Sequence, residues 1–118
     1  MFPREETVKL LTELVAIDSS NSWLVPGSPD EREAQLYIAA YLKALGIASH
    51  FEEISATQSN LVATIEGAGG GKNITLYAHA DTVGYALWKD RALTARLEGD
   101  KMIGLGVADD KVACAAST

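Results

Sequence analysis

A chain of 118 residues, 47% hydrophobic and 22% charged, is long enough to bury a core of its own and has the balance of one globular domain rather than of a disordered or fibrous protein. Its formal net charge of −6 comes with acids spread along the chain and no basic stripe, so neither nucleic acid nor an anionic membrane surface is expected as a partner. No apolar run reaches the roughly 18 residues of a transmembrane helix, Met1-Phe2-Pro3-Arg4-Glu5-Glu6 is acidic where a secretory leader is basic, and one cysteine cannot build a disulfide framework, so a soluble cytoplasmic protein is expected.

Residues 5–17 place Val8, Leu11, Leu14 and Val15 on one face, flanked by Leu10 and Ile17, which predicts an amphipathic helix ended by Asp18-Ser19-Ser20-Asn21. Pro26-Gly27 marks a loop. Ser28-Pro29-Asp30-Glu31 offers a capping serine, a proline at the first helical position and a glutamate three residues after the cap, so a second helix is predicted from there. Its expected buried stripe is Ala34, Ile38, Tyr41 and Leu45, and Gly46 stands where a left-handed C-terminal cap belongs. The period then changes. Residues 47–54 read as a weak strand, and 60–65 as another with Leu61, Ala63 and Ile65 on one side.

The glycine run at 67–71 is a turn; a phosphate loop would need a glycine at Glu66 and a following helix, whereas residues 73–78 are apolar and β-favouring, as in an interior strand covered on both faces. That strand delivers His79 and Asp81. Residues 93–105, with the turn Gly99-Asp100, predict a hairpin broken by Gly104 and Gly106. A last helix is expected to start at Asp109 or Asp110 and to run through Ala113, a buried Cys114 and Ala115. No repeat or linker interrupts residues 1–118, which are read as one domain.

Two short motifs carry chemistry. His79-Ala80-Asp81 ends the most buried-looking strand, and residues two apart on a strand face the same way, so Asp81 is positioned to orient the imidazole. Taken alone, a histidine there is an ordinary hydrogen-bonded residue and Asp109 an ordinary helix cap. In order along the chain, however, the segments around Leu14-Val15-Ala16-Ile17-Asp18-Ser19, Asn60-Leu61-Val62-Ala63, Leu76-Tyr77-Ala78-His79-Ala80-Asp81-Thr82-Val83 and Gly104-Leu105-Gly106-Val107-Ala108-Asp109-Asp110-Lys111 resemble the start of a known family. It is the co-catalytic zinc metallopeptidase family of acetylornithine deacetylase, succinyl-diaminopimelate desuccinylase, glutamate carboxypeptidase, peptidase T and aminoacylase.

The resemblance implies an α/β fold: part of a three-layer α/β/α catalytic domain with a mixed sheet, cut before its later strands and lid domain. It implies that His79 ligates one of two divalent metal ions, that Asp109 bridges both, that Asp81 serves catalysis by supporting His79, and that the peptide between Asp109 and Asp110 is cis. Zinc is the expected metal, with cobalt and manganese not separated from it. The substrate would be a small peptide or an N-acyl amino acid. Leu105 stands where the family has arginine, and Val112 and Ala113 where it has glycines. The family's paired glutamates and later ligands have no counterpart, because no glutamate follows Glu98. The chain is therefore expected to be inactive alone, with an incomplete metal site, and to form a homo-oligomer or meet a complementary chain over an unpaired sheet edge. The alternative is a non-catalytic α/β module with a degenerate metal site.

Overall fold

The computed structural model describes residues 4–118; Met1, Phe2 and Pro3, part of the start read as unlike a secretory leader, lie outside them. Helix α1 (Arg4–Val15) turns Leu10, Leu11, Leu14 and Val15 inward, the face its periodicity predicts. Helix α2 (Arg32–Ala44) packs beside it and buries Ala34, Ile38 and Leu42. Two tyrosines of α2 clasp α1: Tyr37 donates to Glu13, and Tyr41 donates to Glu6 at 2.7 Å.

The start of α2 corrects the expectation. Ser28 makes no cap; the helix begins at Arg32 after a turn at Asp30, whose backbone is left-handed at φ 58° and whose side chain is fully buried. The burial of Asp30 decides the local path, as shown below. The expected stripe also shifts: Leu42 takes the core position, Tyr41 is half-buried, and Leu45, one residue beyond the helix, is exposed. Gly46 ends the helix as expected, at φ 79°, with its N–H on the Lys43 carbonyl (3.0 Å) and the Ile47 N–H on that of Leu42 (2.9 Å). That pair of bonds satisfies two of the carbonyls every helix C-terminus leaves over.

Strands β1 (Ser49–Glu53) and β2 (Ser59–Ala63) form an antiparallel hairpin with Phe51 opposite Leu61. Gln35 of α2 fixes the hairpin by donating to the Ser59 carbonyl and accepting from the Ser59 hydroxyl, both at 2.6 Å. A second hairpin, β3 (Arg96–Glu98) and β4 (Lys101–Ile103), turns at Gly99, as the sequence predicts. Helix α3 (Val112–Ser117) closes the described chain and contributes Cys114 and Ala115 to the core shared with α1 and α2.

Residues 73–78 do not form the expected interior strand. Among the described residues their backbone groups have no ladder partner, and Ile74, Leu76 and Tyr77 stand in solvent. The side chains favour a strand, but a strand covered on both faces needs neighbours on either side, and the described residues provide none there. The described strands accordingly make two separate hairpins rather than one mixed sheet. The outcome is a mixed helix-and-strand fold with surplus surface. Its accessible area of 8180 Å² exceeds by roughly 2,000 Å² the area usual for a self-contained protein of 12.5 kDa. Its radius of gyration, 15.0 Å, is above the roughly 13.5 Å usual for this length. Among the described residues no helix is long and apolar enough to cross a membrane.

Candidate functional site

The site is built where three connections meet. The first is the segment leaving α1. Residues 19–21 run beside residue 82 in a short parallel bridge, with the Thr82 N–H on the Ser19 carbonyl (2.9 Å) and the Asn21 N–H on that of Thr82 (2.8 Å). The Ser19 hydroxyl adds a bond to the Ala80 carbonyl at 2.7 Å. These contacts hold residues 79–82 in place without a sheet around them.

The second connection is the loop before α3. Gly106 is left-handed, φ 72°, and a Cβ on it would sit 2.7 Å from Thr82 Cγ2, so both the backbone angle and the space require glycine. Gly104 is constrained by space alone, since a Cβ on it would meet Val15 Cγ1 at 2.8 Å. These residues therefore do more than break a strand: they let the loop lie against residues 15 and 82. The Lys111 N–H then closes onto the Gly106 carbonyl at 2.9 Å and leaves Asp109 at the tip. The expected helix start at Asp109 or Asp110 is not realised. Both residues have non-helical backbone angles, the peptide between them is cis, and α3 begins at Val112.

The third connection is Lys111 itself, which sequence reasoning left unassigned. Its side chain is 1% exposed and its ammonium donates to the carbonyls of Leu14 and Ile17, each at 2.8 Å, capping α1 from within. Burial pushes its pKa down to about 8, against the pull of Asp18. A single cation amid the apolar residues between Val107 and Ala116 is the signal that could have drawn attention to it.

These connections bring His79 and Asp109, thirty residues apart, into contact: Nε2 lies 2.8 Å from Asp109 Oδ1. On the other side of the ring, Nδ1 lies 3.1 Å from the Asp81 carbonyl and 3.3 Å from Asp81 Oδ1. Asn21, read from the sequence only as part of the segment that ends the first helix, donates from Nδ2 to Asp81 Oδ2 at 2.9 Å and so steadies the carboxylate behind the histidine. From below, the Cys114 thiol donates to the His79 carbonyl at 3.3 Å. Burial pushes the His79 pKa down, but the bond to Asp109, the Asp81 carbonyl and the two carboxylate charges outweigh it, and the net shift is upward.

Both ring nitrogens face oxygen acceptors, an arrangement satisfied either by an imidazolium or by a cation in place of the Nε2 proton. The donor chemistry fits a divalent ion. An imidazole nitrogen and a carboxylate oxygen converge, the ring is oriented from behind, and the Asp109 side chain is 88% exposed. Among the described residues no three His, Cys, Asp or Glu side chains converge in a way that would hold a metal, so the pair is short of the three protein ligands a catalytic zinc site usually keeps.

No family model matches the chain. Over 106 residues, 88% of its length, it is 34% identical to carboxypeptidase G2 of Pseudomonas sp. (strain RS-16). The match takes in 24% of that protein, so the chain spans about a quarter of the length of the curated relative it resembles.

Proposed function

We propose that this chain is the N-terminal part of the catalytic unit of a divalent-metal hydrolase that cleaves amide bonds in small peptides or N-acyl amino acids. The observation that carries the reading is the 2.8 Å approach of His79 Nε2 and Asp109 Oδ1, with Asp81 behind the ring. The likeness to a protein whose name is carboxypeptidase supports the same class of reaction.

In this reading His79 and Asp109 would hold the divalent metal, zinc before cobalt or manganese, with Asp109 the residue that would be shared between two ions. Bound there, divalent cations supply a positive field for the oxygen that gains charge when an amide carbonyl is attacked. Asp81 keeps the Nδ1 proton in place so that Nε2 faces the ion, and Asn21 keeps Asp81 from turning away. Further ligands and the general base come from outside this chain. The roughly 2,000 Å² of surplus surface and the unpaired apolar residues 73–78 support its being completed by further strands into a three-layer α/β/α domain, or by a second chain over the same edge.

Zinc added to the chain at neutral pH is expected to shift the His79 ring resonances in NMR, without hydrolysis of N-acyl amino acids or dipeptides. Asp109→Ala is expected to abolish that response, and Asp81→Ala to weaken binding about tenfold. A zinc titration that leaves the ring resonances where they were would end the metal reading. Turnover by the chain alone that disappears in Asp109→Ala would end the claim that the missing groups lie elsewhere.

A further inference from the structure

Residues 83–91 cross from the bridge at Thr82 to the buried Ala92, and Trp88 in that span lines one cavity of about 300 Å³ together with His79 and Asp109. The span is anchored at both ends. Thr82 is bonded through its backbone to Ser19 and Asn21, and the Ala92 carbonyl accepts from the Leu105 N–H at 2.8 Å. Between the anchors, residues 86–91 are all exposed, Leu87 at 97%.

The middle of the span moves as a unit with Tyr85. The Tyr85 carbonyl accepts from the N–H groups of Trp88 (2.8 Å) and Lys89 (2.9 Å), so the place of Trp88 follows that of Tyr85. Lys89 holds a left-handed backbone, φ 43°, which a residue with a Cβ takes only at a cost. Among the described residues, one side-chain hydrogen bond leaves the span: the Tyr85 hydroxyl donates to Asp18 Oδ2 at 2.9 Å. Asp18 is itself fixed, because its Oδ1 accepts from the Ser20 N–H at 3.0 Å and the Ser20 hydroxyl at 2.7 Å. Its neighbours Ser19 and Asn21 bond to the Ala80 carbonyl and the Asp81 carboxylate. The connector 18–21 thus carries both the acceptor for Tyr85 and the supports of His79, and it sets where Trp88 stands relative to the imidazole.

We propose that residues 83–91 form a strap beside the His79 and Asp109 pair, and that the bond from Tyr85 to Asp18 is the catch that keeps it closed. Its purpose, control of access to the pair, rests on the hydrolase reading. A hydroxyl bonded to a carboxylate is roughly twice as strong as a neutral pair, so the catch selects one arrangement. It is also a single bond on a half-buried tyrosine, so it opens without disturbing the two anchors. Loops that close in this way admit a ligand and then keep water from it. Tyr85 bonds to neither His79 nor Asp109; it is a positioning residue that acts through Trp88.

The test uses the full chain carrying Trp23→Phe and His50→Gln, two exposed positions, so that Trp88 is the single tryptophan and His79 the single histidine. In that background Tyr85→Phe is expected to raise acrylamide quenching of Trp88 fluorescence about twofold, and the rate at which diethyl pyrocarbonate modifies His79 about fivefold. Asp18→Asn is expected to act in the same direction. Adding Tyr85→Phe to it is expected to change little more, because both substitutions act on one bond. Tyr37→Phe removes the same kind of hydroxyl from Glu13, between α1 and α2, and is expected to leave both readings where they were. Readings unmoved by Tyr85→Phe, moved equally by Tyr37→Phe, or simply additive in the double variant would overturn the strap. A zinc titration of the same samples separates the two claims. A zinc response with no effect of Tyr85→Phe leaves the hydrolase reading standing and removes the strap, whereas the Tyr85→Phe effects without a zinc response keep the strap and remove the metal pair.

Discussion

Lys111→Met is expected to lower the unfolding free energy of the chain by about 2 kcal/mol, read as a lower denaturant midpoint with an unchanged slope. Methionine has nearly the length and volume of the lysine stem, so the packing against Gly106 is kept. What disappears is the donor. The Leu14 and Ile17 carbonyls each accept from the Lys111 ammonium at 2.8 Å, in a region where that side chain is 1% exposed. Carbonyls at the end of a helix have no partners within it, and a cation there is favoured by the helix dipole as well. Removing the buried charge returns part of its desolvation cost, which is why the expected loss is nearer 2 than 4 kcal/mol. A methionine variant as stable as the parent would mean that water replaces the ammonium at those carbonyls. The backbone N–H of residue 111, which closes the loop that carries Asp109, is kept in the variant, so the zinc response is expected to persist while the chain remains folded.

What the sequence made legible is local. The apolar spacing located α1, the glycine after Leu45 located the end of α2, and Gly99-Asp100 located the turn of the second hairpin, each a signal contained within a few residues. Residues 73–78 show the limit of such signals. Their side chains state a preference for a buried strand, but burial depends on neighbours, and nothing in a local pattern says whether those neighbours are present. The start of α2 shows a second limit. Ser28-Pro29 has the form of a helix start, yet a buried Asp30 whose partners lie 8 and 27 residues away sets the path instead.

The candidate site divides in the same way. The nearness of His79 and Asp81 follows from a two-residue spacing, but the contact of His79 with Asp109 spans thirty residues and was anticipated only through the family resemblance. Asn21, Thr82 and Lys111 were not found. Each matters through a partner distant in the chain: Asp81 for Asn21, the bridge to residues 19–21 for Thr82, and the end of α1 for Lys111.

Asp30→Ala is expected to cost about 4 kcal/mol and Asp30→Asn about 2, because this carboxylate joins three parts of the fold. It accepts from the Ser22 N–H at 2.7 Å, the Ser22 hydroxyl at 2.8 Å and the Thr57 hydroxyl at 2.6 Å, and is fully buried. The loop after α1, the entry to α2 and the turn between β1 and β2 are thus tied to one side chain. Asparagine tolerates the left-handed backbone and keeps the shape, but it loses the charge and turns a donor toward groups that were donating. The pH dependence follows in sign. Burial pushes the Asp30 carboxyl up, while the bonds from Thr57 and Ser22 outweigh it and hold the pKa below the usual 3.8. A group depressed in the folded state contributes its full stability above the unfolded value and loses it as pH falls through the folded one. Denaturant unfolding of parent and Asp30→Asn is therefore expected to show a gap that is constant near neutral pH and narrows in acid below the usual carboxylate range. A gap independent of pH down to complete acid unfolding would show that the carboxylate carries no such linkage. The consequence reaches the site, because Asn21 lies between the two residues this clamp secures, Ser20 by the Asp30 N–H at 3.0 Å and Ser22 by the carboxylate. Loosening Ser22 gives more freedom to the neighbouring Asn21 amide that steadies Asp81 behind His79, so Asp30→Asn is expected to weaken zinc binding although its side chain is remote from the metal pair.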